Sequence, residues 1–147
     1  MKKCISILFV SFLFVACQQK VNREDIPKIN GYWEIEKVAF KEGQEKGYTI
    51  NESYDFFSIE KNFVGIRKKV MPQLDGTFIV NDTYENVKIR FTDDKVFFDY
   101  STKFAKWTEE LVELEKDKMA FRNAENKEYF YKKAAPIKIT GDGKKTK

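Results

Sequence analysis

Glu109, Glu110, Glu113 and Glu115 place four carboxylates within seven residues. Such groups can act as general acid and base, or share a metal ion, when they converge on one point shielded from water. Here they alternate with Leu111, Val112 and Leu114, which sends most of them to solvent in an extended chain. Asp93-Asp94 and Asp75-Gly76 are turn residues, and no run of alternating oxygen ligands makes a calcium loop. Histidine is absent from the 147 residues. Its absence excludes His-based triads, His-ligated zinc and the usual side-chain proton switch near neutral pH. No Gly-x-Ser-x-Gly elbow, phosphate loop or dinucleotide fingerprint occurs. The expectation is a protein that is not an enzyme and needs neither cofactor nor metal.

Arg67-Lys68-Lys69 is the strongest basic cluster. In a strand Arg67 and Lys69 share a face. The plain reading is a solvated outer face that also protects an edge; the sharper one is attraction to anionic lipid headgroups. With 27 basic and 23 acidic residues the net charge is only +4. No face collects a strong excess of one sign, so no nucleic-acid partner is expected. Aromatic residues reach 16% and Pro is scarce, a mixture that suits strands.

Lys2 and Lys3 precede an apolar run of 11 residues from Ile5 to Val15. That is short of the ~20 needed to cross a bilayer as a helix, and reads as a secretory signal. Phe14-Val15-Ala16-Cys17 resembles a bacterial lipobox, with Phe14 where Leu is usual. The alternative is an ordinary signal peptide with an incidental Cys. On the first reading residues 1–16 are a lipoprotein signal peptide and Cys17 is lipidated. Cys4 leaves with the signal, and the remaining domain has no disulfide, thiol nucleophile or thiolate metal site. Loss of Lys2 and Lys3 lowers the net charge from +4 to +2, so membrane attachment falls to the acyl chains. Residues 17–28 read as the lipidated Cys and a flexible tether of ~18 Å typical span. Gln18 after the Cys, and no acid before Glu24, point to the outer membrane and a periplasm-facing domain.

The elements come as short alternating runs with turn residues every 8–12 positions, the signature of an all-β sandwich or barrel. Tyr32–Phe40 alternates and changes register near Lys37, which predicts a bulge. Lys41–Tyr48 reads as a polar loop. Tyr54–Glu60 and Phe63–Val70 flank Lys61-Asn62, a two-residue hairpin candidate. Thr77–Tyr84, Val87–Phe91, Lys95–Tyr100, Trp107–Glu115, Met119–Asn123 and Lys127–Lys133 complete nine strand candidates. Trp107–Glu115 has helical character too, but turn signals bound it tightly and it is read as a strand. A long meander avoids bare edges by closing into a barrel. Residues 29–133 therefore form one domain, and residues 134–147 a disordered basic tail.

Gly31-Tyr32-Trp33 resembles the Gly-x-Trp signature of lipocalins. The segments Trp107–Leu114, Lys118–Asn123 and Glu128–Lys133 look like the closing strands of lipocalin-like bacterial lipoproteins. The resemblance spans about residues 30–133. It implies a single up-and-down antiparallel barrel of about 8–9 short strands that binds a small molecule or lipid. In lipocalins an arginine from the last strand stacks across the tryptophan; here Lys132 or Lys133 holds that place, giving a barrel closure of Gly31, Trp33, Lys132 and Lys133. Lysine can make the cation–π contact but lacks the planar stacking of guanidinium.

Trp33, Phe57, Phe78, Phe91, Phe98, Tyr100, Phe121, Tyr129 and Tyr131 fall on positions expected to face inward. A barrel of ~8 strands can be filled by its side chains or hold one small ligand. If a pocket opens, Phe98, Tyr100, Phe121, Tyr129 and Tyr131 line it, the tyrosines offering hydroxyls to orient a ligand. The leading expectation is an envelope lipoprotein whose barrel binds a small apolar or amphipathic molecule near the membrane. The alternative is a filled, non-catalytic barrel that binds an envelope protein. The partners expected are thus a membrane, through the N-terminal lipid, and a small apolar ligand, with the chain monomeric.

Overall fold

The computed structural model describes residues 20–134. The signal segment 1–16, Cys17 and the tail beyond Ala134 lie outside them. Among the described residues the chain opens with a 3-10 helix, Arg23–Ile29. Ten strands follow: β1 (Gly31–Ala39), β2 (Glu45–Gly47), β3 (Tyr54–Ile59), β4 (Val64–Pro72), β5 (Phe78–Val80), β6 (Glu85–Phe91), β7 (Val96–Ser101), β8 (Lys106–Leu114), β9 (Lys118–Arg122) and β10 (Glu128–Lys133).

Eight of them, β1, β3, β4, β6, β7, β8, β9 and β10, form an up-and-down antiparallel barrel, closed by β10 against β1. This is the expected architecture. The short β2 and β5 extend it at one end, pairing with β1 at Lys37–Ala39 and with β4 at Val70–Pro72. Two expectations are corrected here. The polar segment 41–48 contains β2, and the strand expected over 77–84 is ordered as a strand only at Phe78–Val80.

The predicted bulge in β1 lies between Ile35 and Lys37, and β8 has another between Leu111 and Glu113. Each inserts a residue and resets the alternation. Leu111 and Leu114, three apart, are therefore both buried. The strand reading of residues 107–115 holds because β8 pairs with β7 on one side and β9 on the other.

Four hairpins share one turn. In Phe40–Gln44, Glu60–Val64, Gln73–Thr77 and Asn123–Lys127 the first N–H bonds the fifth carbonyl, and the fourth N–H bonds the first carbonyl. This is a three-residue loop whose fourth position is left-handed. Gly43, Gly76 and Asn126 occupy that position in three of them, and Phe63, at φ 62°, in the other. A bulky aromatic is an outlier in this conformation. Its compensation is packing: the Phe63 ring meets Phe91 edge-on at 4.8 Å, with Arg23 4.5 Å above Phe91. The two-residue turn expected at Lys61-Asn62 is thus a three-residue loop.

One end of the barrel is closed. Ile26 and Ile29 of the 3-10 helix join Trp33, Ile59, Ile89, Val96, Leu114 and Met119 in the core. The tether expected over 17–28 is accordingly not flexible from Arg23 onward, since burying two isoleucines ties this segment to the barrel. Above this layer Phe57, Phe98 and Phe121 pack with centroids 5.0–6.4 Å apart. Phe78, expected inside, lies on the outer wall, stacked on Tyr32 at 4.0 Å.

Candidate functional site

The closed end is built around Trp33 and Lys133. Lys133 places Nζ 4.4 Å from the Trp33 ring centroid and donates to the carbonyls of Lys28 and Asn30, at 2.8 and 2.6 Å. Trp33 Nε1 donates to the Ile29 carbonyl at 2.6 Å. Gly31 has φ +114°, where a side chain is strained, and a Cβ there would stand 3.4 Å from the Lys133 side chain. Burial pulls the Lys133 pKa below its ordinary value. Of the two lysines considered, Lys133 makes the closure. Lys132 turns outward to Glu34, 3.5 Å away.

The opposite, open end holds the chemistry. Strand β4 pairs with β3 so that Arg67 stands opposite Phe57, and Lys69 opposite Asp55. Arg67 therefore points inward, not to the outer face expected for the basic cluster. Its side chain is only 11% exposed and pairs with Glu85 and, at 3.5 Å, with Glu109. Its guanidinium lies 4.2 Å over the Tyr100 ring and 5.8 Å from the Trp107 ring centroid. Lys69 Nζ reaches Asp55 Oδ1 at 2.7 Å, in an ion pair without hydrogen-bond geometry. Asp55 is the buried acid of this layer, at 2% exposure. Glu109 lies beside the buried Tyr100 hydroxyl, within reach of a hydrogen bond from it.

Together Asp55, Arg67, Lys69, Glu85, Tyr100 and Glu109 form a polar floor over the aromatic core. Burial raises the Glu109 pKa, with Arg67 opposing the rise. Burial likewise raises the Tyr100 and Tyr131 hydroxyls well above their ordinary value, so both remain neutral. Burial also opposes the charge on Arg67, but the surrounding oxygens of Tyr100, Glu85, Asp55 and Glu109 more than offset it. The floor can thus donate from a guanidinium, an ammonium and phenols, and accept at three carboxylates. Among the described residues no group of His, Cys, Asp or Glu is arranged to hold a metal ion.

Around this end the large apolar side chains are bare. Ile50, Met71, Leu74, Ile79, Val80 and Phe104 are all exposed. They sit on the loops and strand ends of the open end, β5 and the β4–β5 hairpin contributing most. Beside them a cleft of about 490 Å3 runs between Tyr84 and Phe104, with Asp82, Thr83, Asn86 and Thr102 in its walls. A second cleft, of about 720 Å3, crosses the outer wall over β4, β6, β7 and β8.

Of the tyrosines and phenylalanines expected to line a pocket, Phe98, Tyr100 and Phe121 are buried at 0–1% exposure and fill the interior. Tyr131 meets Phe121 edge-on at 6.4 Å, and Tyr129, half-buried, accepts from Asn123 at 3.4 Å. Asp55 is not singled out by the sequence, and Arg67 and most of the carboxylates of 109–115 are expected on the solvent face. Glu109 carried a usable signal, since it shares alternation with Trp107 and Leu111 and stands opposite Phe98. Arg67 did not, because its face depends on the length of the loop before it.

No protein-family model matches the chain. No curated protein matches it either. Among solved structures it is similar to a lipocalin-like protein from Bacteroides uniformis, at 10% identity and a TM-score of 0.46, over 73% of this chain and 99% of that one. It is also similar to an uncharacterized protein from Bacteroides eggerthii, at 13% identity and a TM-score of 0.44, over 71% and 98% of the two chains.

Proposed function

We propose that this protein is a non-catalytic, lipid-anchored envelope protein with a lipocalin-like barrel that binds a small amphipathic molecule at its open end. The observation that carries this reading is a polar floor beneath an apolar rim. Arg67, Lys69, Asp55 and Glu109 offer polar contacts to a head group, and Met71, Ile79 and Phe104 offer apolar surface to a tail. The filled aromatic layer below makes this a shallow mouth site rather than a deep one.

Lipidation at Cys17 sets the orientation in this reading. Lys20 donates to the Asp93 carbonyl and pairs with Asp94 at 3.6 Å, both in the β6–β7 turn of the closed end. Lys20 stands three positions after Cys17, at most ~11 Å of chain. The closed end then faces the outer membrane, and the open end faces the periplasm one barrel length away.

The second reading is the filled interaction module, favoured by the same solid core and by apolar side chains exposed together. Native mass spectrometry of the detergent-solubilised protein separates the two. A co-purifying small molecule that is lost when Met71, Ile79 and Phe104 of the rim are replaced by Ser supports the ligand. Protein with no small-molecule adduct at any detergent concentration overturns it.

A further inference from the structure

The floor is unevenly charged. Three carboxylates, Asp55, Glu85 and Glu109, face two cations, Arg67 and Lys69. Arg67 is shared by Glu85 and Glu109, so neither acid has a cation of its own. The remaining members of the layer, Tyr100, Tyr131 and Trp107, bring no positive charge. A surplus negative charge out of bulk water is costly until a cation or a proton meets it. Two buried oxygens of the layer have their partners only within it: Asp55 Oδ1, in a residue 2% exposed, meets the Lys69 ammonium at 2.7 Å, and the Tyr100 hydroxyl, in a residue 1% exposed, lies beside Glu109. Both are oxygens, able to accept from a donor. The layer meets solvent through Glu85 and Lys69, whose side chains are 26% and 59% exposed.

We infer that the molecule held at the open end is an amphipathic cation with a primary ammonium head, which meets the surplus carboxylate of the Asp55, Glu85 and Glu109 floor. A primary ammonium carries three donors and no acceptor, which suits the clustered oxygens of Asp55, Glu109 and Tyr100. A carboxylate head would add a fourth negative charge to the layer, where Arg67 is already committed twice. The Lys69 ammonium, on a flexible stem, occupies part of the same place at Asp55. A bound amine would compete with it, and the bulky apolar rim would take the chain of the ligand.

This inference rests on the proposed binding at the open end, and the test keeps the two apart. The full chain in nanodiscs is titrated by calorimetry with hexylammonium, hexanoate and 1-hexanol, with empty nanodiscs as the blank. Hexylammonium should bind at least tenfold more tightly than hexanoate and more tightly than 1-hexanol. Glu109→Gln should remove most of that preference. Lys69→Met, which removes the competing ammonium, should tighten hexylammonium severalfold, a gain that misfolding cannot produce. Hexanoate or 1-hexanol binding as tightly as hexylammonium would overturn the ammonium head and leave the binding site standing. Saturable uptake of none of the three would overturn both. A Lys69→Met variant no tighter than the parent would also sink the ammonium assignment.

Discussion

Replacing Arg67 with Met keeps much of the side chain's length and removes its charge. Glu85 and Glu109, with side chains 26% and 15% exposed, then lose the guanidinium they share. Stranding a fully buried charge costs ~3–5 kcal/mol; because both carboxylates retain some water, about 2–4 kcal/mol is expected here. That figure includes the lost contact between the guanidinium and the Tyr100 ring. The pH dependence separates charge from packing. Burial already raises the Glu109 pKa above its ordinary value, and Arg67 restrains the rise. Without Arg67 it rises further. An acid whose folded pKa exceeds its unfolded value contributes stability that is fully present below the unfolded pKa and is lost as pH rises through the folded one. The variant should therefore lie closer to the parent in urea melts at pH 5 than at pH 7.5, by about 1 kcal/mol or more. Adding Glu109→Gln should recover much of the loss at pH 7.5. Equal deficits at both pH values, with no recovery in the double variant, would mean that Arg67 acts through packing and not by holding the charges of Glu85 and Glu109.

Trp33→Ala should cost ~3–5 kcal/mol as a large-to-small core change, since it empties the closed end and frees Lys133; an unchanged urea midpoint would refute the closure. Phe63→Gly relieves a left-handed aromatic but gives up its contact with Phe91, a net loss of about 1 kcal/mol, whereas Asn126→Gly, at the same turn position, should change the midpoint little. Thermal melts of the two variants compare them, and a stabilised Phe63→Gly would show that the ring packs for nothing. Cys17→Ala should abolish incorporation of a fatty-acid probe, and equal labelling of parent and variant would remove the lipoprotein reading.

The alternating runs, the turn residues at Asp93-Asp94, and the Gly31-Tyr32-Trp33 opening made the barrel legible, because each is local. Period-two alternation and two-residue turns need only neighbours along the chain. The sequence by itself also determined that no histidine or thiol chemistry operates in the described domain. What it could not decide was which way β4 faces. A two-residue turn at Lys61-Asn62 would set Ile66 opposite Phe57 and turn Arg67 outward. The observed three-residue loop sets Arg67 opposite Phe57 instead. A slip of one residue exchanges every side chain between the two faces. The choice rests on Phe63 adopting a left-handed backbone that its residue type disfavours, held there by Phe91 and Arg23 across the closed end. Those contacts join residues 23, 63 and 91, far apart in the chain, so the face of Arg67, and with it the polar floor, existed only once the barrel had closed.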